Sequence, residues 1–493
     1  MDAHFPVLLV LAPLLVAPIV VIFASARFAW AAAMATSVYC FWVAANLLVA
    51  VQGGAEIHYE LGGWAPPWGI ELRVDQVNAL VLTLVSGMSA VVLPFALGSL
   101  QDEVASDRIY LFYASWLLCL CGLLGITITG DAFNVFVFLE ISSLSTYVMV
   151  SLAQRRQALV SAFRYLIMGT VGATFILIGI GLLYMMTGTL NMADLAERLQ
   201  SITHLRPVQA GIAFLFVGIM LKMALFPLHM WLPGAYTHAP MAVTAFLAAT
   251  ATKVAVYLLF RFAFDIVGAG TVLGEFQLGL PLALLGAGAA LVGSLLALGQ
   301  TRDVKRMLAY SSVAQIGYMA LGIATGTVAA LAGAILHLVN HALMKSALFM
   351  ALGAARQQGG TQSLEGLAGA GKRMPVTMVA FTIAGLSLVG IPLTAGFLSK
   401  WYLVVGTFER GWWAVAALVI ITSLMAAVYI GRLLEAVWLR EPGDESPRSE
   451  ASVLLWSGIA LLALANIYFG LETEFTAAVA ESAARHLLQG YSP

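Results

Sequence analysis

Charge is scarce in this chain of 493 residues: 10% are Asp, Glu, Lys or Arg, 61% are hydrophobic, and mean hydropathy is +0.93. A soluble chain of this size needs far more charge to cover its surface, which excludes that class. Cysteine is nearly missing as well. Cys40, Cys119 and Cys121 all fall in apolar runs, and one C-x-C pair inside a helix supplies neither an iron–sulfur framework nor a zinc site, so packing is their expected role. A net charge of −1 without any basic run gives nucleic-acid binding no electrostatic basis. The apolar runs also lack the strict alternation of barrel strands, which leaves helices to satisfy the backbone within a bilayer.

What is present is a series of about fourteen apolar runs of membrane-spanning length, near residues 5–23, 29–51, 76–99, 109–129, 131–152, 160–186, 208–232, 240–264, 278–299, 307–325, 328–354, 376–410, 412–437 and 452–470. The expected fold is an all-α polytopic membrane protein. Asp2 and His4 precede the first run where a signal peptide carries basic residues, so despite Ala24-Ser25-Ala26 it reads as a retained helix. An even number of spans puts both termini on one side. Placing them outside assigns most loop cations, among them Arg155, Arg156, Arg302, Lys305, Arg306, Lys372, Arg373 and Arg448, to the cytoplasmic side. The longer polar segments, 52–75, 187–207, 355–375 and 437–451, are too short for a second domain.

Lysine occurs only six times, and Lys222, Lys253, Lys345 and Lys400 sit inside apolar runs. A lysine near the bilayer centre costs roughly 2.5–3.5 kcal/mol on insertion scales, so such a row without a function is hard to sustain. Glu140, in Phe136-Val137-Phe138-Leu139-Glu140, needs a cationic partner or a proton at that depth. Lys222 stands five residues before Pro227, which removes a backbone donor and predicts a broken helix. Ionisable groups beside broken helices are the usual layout of a transport site. A static Glu140–Lys222 bridge is the structural alternative, but one glutamate cannot neutralise the surplus lysines. An amine withdrawn from water can exchange protons near neutral pH, which makes it a relay element.

His337, His341 and Lys345 follow at i, i+4 and i+8 and share one helical face over about 12 Å. Imidazoles so spaced can pass protons. Two histidines at i and i+4 can also hold zinc, but the glutamate of H-E-x-x-H and a third ligand are missing, and Lys345 would repel the ion. Lys400 follows Gly390-Ile391-Pro392-Leu393-Thr394-Ala395-Gly396, in a run of about 35 residues, too long for one straight span. Two interrupted helices, each with a lysine, predict an internal duplication of five-helix units. Gly366 to Arg373 reads G-x-x-x-x-G-K-R, but the phosphate loop needs Ser or Thr where Arg373 stands, and Met374-Pro375 opens the next helix, so this is a basic loop. Asp75 and Asp131 read as helix-terminal groups.

Several long motifs resemble the proton-translocating antiporter-like subunits shared by Mrp-type cation/proton antiporters and respiratory complex I. They are Lys222-Met223-Ala224-Leu225-Phe226-Pro227-Leu228-His229-Met230-Trp231-Leu232-Pro233-Gly234-Ala235, His238-Ala239-Pro240, Thr252-Lys253-Val254, Asp303 to Ser312, the His337–Lys345 row and Gly390 to Phe397. The run Gly130 to Glu140 looks most like the Mrp D-type subunit. Lys400 departs from the complex I subunit type that has a glutamate there, and no long lateral helix is expected after residue 470. The resemblance implies fourteen helices with two inverted five-helix repeats, divided as 1–105, 106–265, 266–438 and 439–493. It implies a hydrated relay of Glu140, Lys222, Lys253, His337, His341, Lys345 and Lys400. The expected function is an ion-translocating subunit of a multisubunit Na+/H+ or related monovalent cation/proton antiporter in a bacterial or archaeal cytoplasmic membrane. It would hold no cofactor, metal or redox centre of its own, and its partners would be other hydrophobic subunits, protons, a monovalent cation and the lipid bilayer, with no nucleic acid. The alternative is a proton-pumping subunit of a complex I-like NADH:quinone oxidoreductase or a membrane-bound hydrogenase.

Overall fold

The structure is a computed structural model that describes residues 4–359, 362–441 and 449–491. Asp2 and Arg448 lie outside the described residues. The helices run in the order α1 (Phe5–Phe23), α2 (Ala26–Ala50), α3 (Gln76–Ser99), α4 (Ile109–Ile128), α5 (Ala132–Ser151), α6 (Arg156–Thr187), α7 (Met192–Leu199), α8 (Arg206–Lys222), α9 (Trp231–His238) and α10 (Met241–Ala249). They continue with α11 (Ala251–Phe260), α12 (Gly279–Gly299), α13 (Val304–Thr325), α14 (Val328–Gln357), α15 (Ala370–Arg373), α16 (Pro375–Val389), α17 (Ala395–Glu409), α18 (Trp413–Trp438), α19 (Val453–Leu471) and α20 (Glu474–Leu487). Among the described residues, twelve helical stretches are long and apolar enough to cross a membrane, with α10 and α11 making one of them. The remaining two apolar runs are interrupted, as α8/α9 and α16/α17. The chain is a nearly all-helical polytopic membrane protein.

It divides into two compact units. The first comprises Met1–Leu93, Val104–Met223 and Thr250–Gln277. Its α4 is buried along almost its whole length between α1, α2 and α5, as a helix apolar on every side must be. The backbones of α6 and α8 touch: a Cβ on Gly218 would lie 2.6 Å from the Gly172 carbonyl oxygen, so small residues set the approach of the helix that ends in Lys222. The polar segment 52–75 forms an antiparallel ribbon, β1 (Ile57–Glu60) and β2 (Glu71–Val74), with Ile57 opposite Val74. Composition hid this ribbon because strands of four residues leave no periodic signal. The Gly130 amide donates to the Glu71 carbonyl at 2.8 Å, tying the ribbon to the α4–α5 turn.

The second unit comprises Pro94–Glu103, Ala224–Ala249 and Leu278–Pro493. Its centre is α14, buried on every face over its middle and packed by α10, α13, α16, α17, α19 and α20. Thr327 caps its start, accepting from the Ala330 amide, and Asp303 caps α13 in the same way through Arg306. Gly390, at φ 89°, closes α16 in the left-handed conformation that favours glycine, and the chain restarts at Ala395.

Candidate functional site

In the first unit, α8 ends at Lys222, five residues before the Pro227 that interrupts the run. Its Nζ donates to Ser143 Oγ at 2.9 Å and stands 3.9 Å from Glu140 Oε1. Ser143 and Glu140 lie three residues apart on α5, so one helix face presents both acceptors. Glu140 Oε1 is buried and accepts no hydrogen bond, which leaves it for charge interaction with the amine. A cavity of about 40 Å³ opens beside Lys222, lined by Ser142, Ser143, Thr146 and Tyr165 on one side and Ala251, Val254 and Ala255 of α11 on another. That is room for two or three waters. Lys253 is fully buried on α11, next in sequence to Val254 of that lining, and its Nζ donates to Thr252 Oγ1 at 3.4 Å.

In the second unit Lys400 sits in the second turn of α17 and reaches back across the break. Its Nζ donates to the carbonyls of Leu388 and Val389 at 3.0 and 2.9 Å, and to Ser423 Oγ at 3.0 Å. Those carbonyls end α16, where intrahelical donors run out and the helix dipole is negative, so an ammonium fits there. The Nζ is also 5.0 Å from the centroid of the Tyr318 ring. The two breaks therefore hold their lysines differently: Lys222 closes the half-helix before its break, and Lys400 belongs to the one after it. His337 and His341 stack with ring centroids 5.9 Å apart, and His337 Nδ1 bonds Ser399 Oγ at 2.8 Å, next to Lys400 in sequence. Lys345 Nζ, fully buried, donates to the Leu308 carbonyl at 2.7 Å and to Ser311 Oγ. Glu140, Lys222 and Lys253 thus belong to the first unit, and His337, His341, Lys345 and Lys400 to the second.

A second cluster in the first unit has no signature in the sequence. Arg261, 6% exposed, pairs with Asp75 and Asp265, and its Nε donates to Tyr257 Oη at 2.9 Å. Tyr257 Oη in turn donates to the Thr127 carbonyl of α4 at 2.9 Å and lies one turn beyond Lys253 on α11. Asp75 is helix-terminal as expected, its Oδ1 accepting from the amides of Val77 and Asn78, and its other oxygen takes Arg261. Burial pushes the Asp75 carboxyl up, but the Arg261 guanidinium and the Asn78 amide outweigh it and hold the group below the usual aspartate range. Asp131 caps α5 through the Asn134 amide at 2.8 Å. Arg261 sits at the end of an apolar run, where an arginine reads as an interfacial group. Its partner lies 186 residues away, and no sequence signal links them.

Residues 129–426 match the family model described as NADH:quinone oxidoreductase/Mrp antiporter, TM. The chain is 43% identical to a protein named as the N-type subunit of NADH-quinone oxidoreductase from Desulforudis audaxviator, over 91% of this chain and 90% of that one. It is 31% identical to the D-type subunit of a Na(+)/H(+) antiporter of Bacillus subtilis, over 87% and 85% respectively. Among solved structures, a chain of the Mrp complex from Dietzia sp. DQ12-45-1b superposes with a TM-score of 0.90 at 25% identity, covering 99% of this chain and 98% of that one.

Proposed function

The chain belongs to the NADH:quinone oxidoreductase/Mrp antiporter transmembrane family, and on that premise we propose that it carries protons as a membrane subunit of a multisubunit monovalent cation/proton antiporter of the Mrp D type. The observation that carries this reading is Lys222 at the end of a broken helix, hydrogen-bonded to Ser143 and 3.9 Å from Glu140 beside a water-sized cavity. Glu140 sets the proton affinity of Lys222. The cavity lets water connect that amine to the α11 segment that carries Lys253. In the second unit His337, His341 and Lys345 pass the proton on, and Lys400, held by the open end of α16, exchanges it with one side of the membrane. Moving one charge across 100 mV is worth about 2.3 kcal/mol, so partner subunits must drive or harvest each step. Both termini face outward, and the spans form two inverted repeats over 106–265 and 266–438.

The redox reading keeps the same relay. It is favoured by the 43% identity to a chain named as a quinone oxidoreductase subunit, against 31% for the antiporter subunit. Extraction of the native assembly in mild detergent, followed by iron, flavin and subunit-mass analysis, separates the two. No stoichiometric iron or flavin, with several small hydrophobic partners, is the antiporter outcome; stoichiometric redox centres give the pump. Either reading requires Lys222→Ala and Glu140→Ala each to stop proton movement by a correctly assembled complex, and unimpaired transport in either would overturn the relay.

A further inference from the structure

We propose that Lys345 and Lys400 are joined by a second relay branch, made of Ser311, Gln315, Tyr318 and Tyr429 with Ser423, running between α13 and α18 and bypassing the histidines. The branch rests on the proton-carrying reading above and assigns to it residues that neither the motifs nor the lysine row single out.

Its ends are fixed by hydrogen bonds. Lys345 Nζ donates to Ser311 Oγ on α13, and Lys400 Nζ donates to Ser423 Oγ on α18 at 3.0 Å. Between them, Ser311, Gln315 and Tyr318 lie at i, i+4 and i+7 and so share one stripe of α13. Tyr318 Oη donates to Thr422 Oγ1 at 2.8 Å, and its hydroxyl also lies within reach of Ser423. Tyr429, one helical stripe along α18 from Thr422, is fully buried, and its Oη is close to both Ser311 and Tyr318. Two features mark this stripe as more than packing. Tyr429 Oη makes no well-directed hydrogen bond, with the Ser311 hydroxyl its neighbour in reach, and neither end of the Gln315 amide bonds a protein atom, although Gln315 is only 1% exposed. Leaving buried polar groups unmet is costly, and three such atoms along one stripe supply the donors and acceptors that an internal water would need.

The step balances as a hop. The Lys345 ammonium gives a proton to Ser311 Oγ, and the serine releases its own, now directed at the Leu308 carbonyl, towards Tyr429. Each hydroxyl or water then accepts one proton and passes one on, until the neutral Lys400 amine takes it up through Ser423. Gln315, which does not change protonation, positions the water with its two amide ends.

The test uses the assembled complex in vesicles, with proton transport and thermal unfolding measured for Tyr429→Phe, Gln315→Met and Lys400→Ala. Removal of a buried hydroxyl that lacks a well-directed partner is nearly neutral or stabilising for a residue that only packs, so stability and transport part company if the branch is real. The expected result is an unchanged or raised melting temperature for Tyr429→Phe with transport lowered about tenfold or more, and a similar fall for Gln315→Met. A smaller fall in both, with Lys400→Ala inactive, overturns the branch and leaves the relay through the histidines. Transport retained by Lys400→Ala overturns the functional reading itself. Should Tyr429→Phe fail to assemble, Gln315→Met alone decides.

Discussion

Replacing Arg261 by Met withdraws the cation from two carboxylates, and the structure sets the size of the consequence. The Asp75 side chain is 6% exposed and that of Asp265 14%, so Asp265 has more access to water and Asp75 bears most of the loss. With only Arg73 and the cap amides left to oppose its burial, Asp75 is driven towards its protonated form, and full protonation sets the upper limit of the cost. Neutralising an aspartate at pH 7, about 3.1 units above its unfolded value near 3.9, costs about 1.36 kcal/mol per unit, or about 4 kcal/mol. This agrees with about 3–5 kcal/mol for breaking a buried pair. In the variant the Asp75 carboxyl is raised above its unfolded value, so the deficit grows as pH rises and shrinks to about 1.5 kcal/mol at pH 5. The intact protein behaves oppositely. Its Asp75 is held low by Arg261, so that contribution is complete above the unfolded aspartate value and is lost only as pH falls through the lowered one. Thermal unfolding of the purified assembly at pH 7 and pH 5 reads both trends. Adding Asp75→Asn should recover most of the loss, because asparagine still caps α3 while removing the stranded charge. A deficit under about 1 kcal/mol at pH 7, or one that does not shrink at pH 5, would refute this reasoning.

Three further substitutions probe the positioning of the lysines and the packing around them. In Gly396→Ala the new Cβ would stand 1.9 Å from the Ser387 carbonyl oxygen, so the break before Lys400 must open. A stability loss of about 1–3 kcal/mol or more, with impaired proton transport, is expected from unfolding and vesicle assays. Ser143→Ala removes the 2.9 Å acceptor of Lys222, a charged hydrogen bond of about 1.5–3 kcal/mol, and should slow transport without blocking assembly. Glu103 accepts from the Met241 amide at 2.7 Å and pairs with Arg356. Glu103→Gln keeps an acceptor for the amide and should cost about 1 kcal/mol, whereas Glu103→Ala also strands a buried donor and should cost about 3 kcal/mol, a difference visible in melting temperatures.

Legibility differed between kinds of feature. Lys222, Lys253, Lys345 and Lys400 could be placed in the interior from the apolar residues around them, and all four are buried or nearly so. The breaks after Lys222 and before Ala395 could be located because proline and glycine act on their own backbone, whatever surrounds them. The ribbon at 57–60 and 71–74 could not, since its pairing is a long-range event in two short strands. Gln315 and Tyr429 looked like ordinary members of apolar helices, and only their unmet polar atoms in the packed unit set them apart.

By itself the sequence determined the solvent of this protein, the order of its apolar helices and the burial of its amines, because hydropathy and backbone chemistry act locally along the chain. Tertiary structure alone decided which partner each charge meets. Lys222 reaches Ser143 across 79 positions, Arg261 reaches Asp75 across 186, and Lys400 turns back to the end of α16. Such choices depend on how closely helices approach and which faces they turn to one another, as where Gly218 lets α8 press against α6, and a linear pattern carries no record of that geometry.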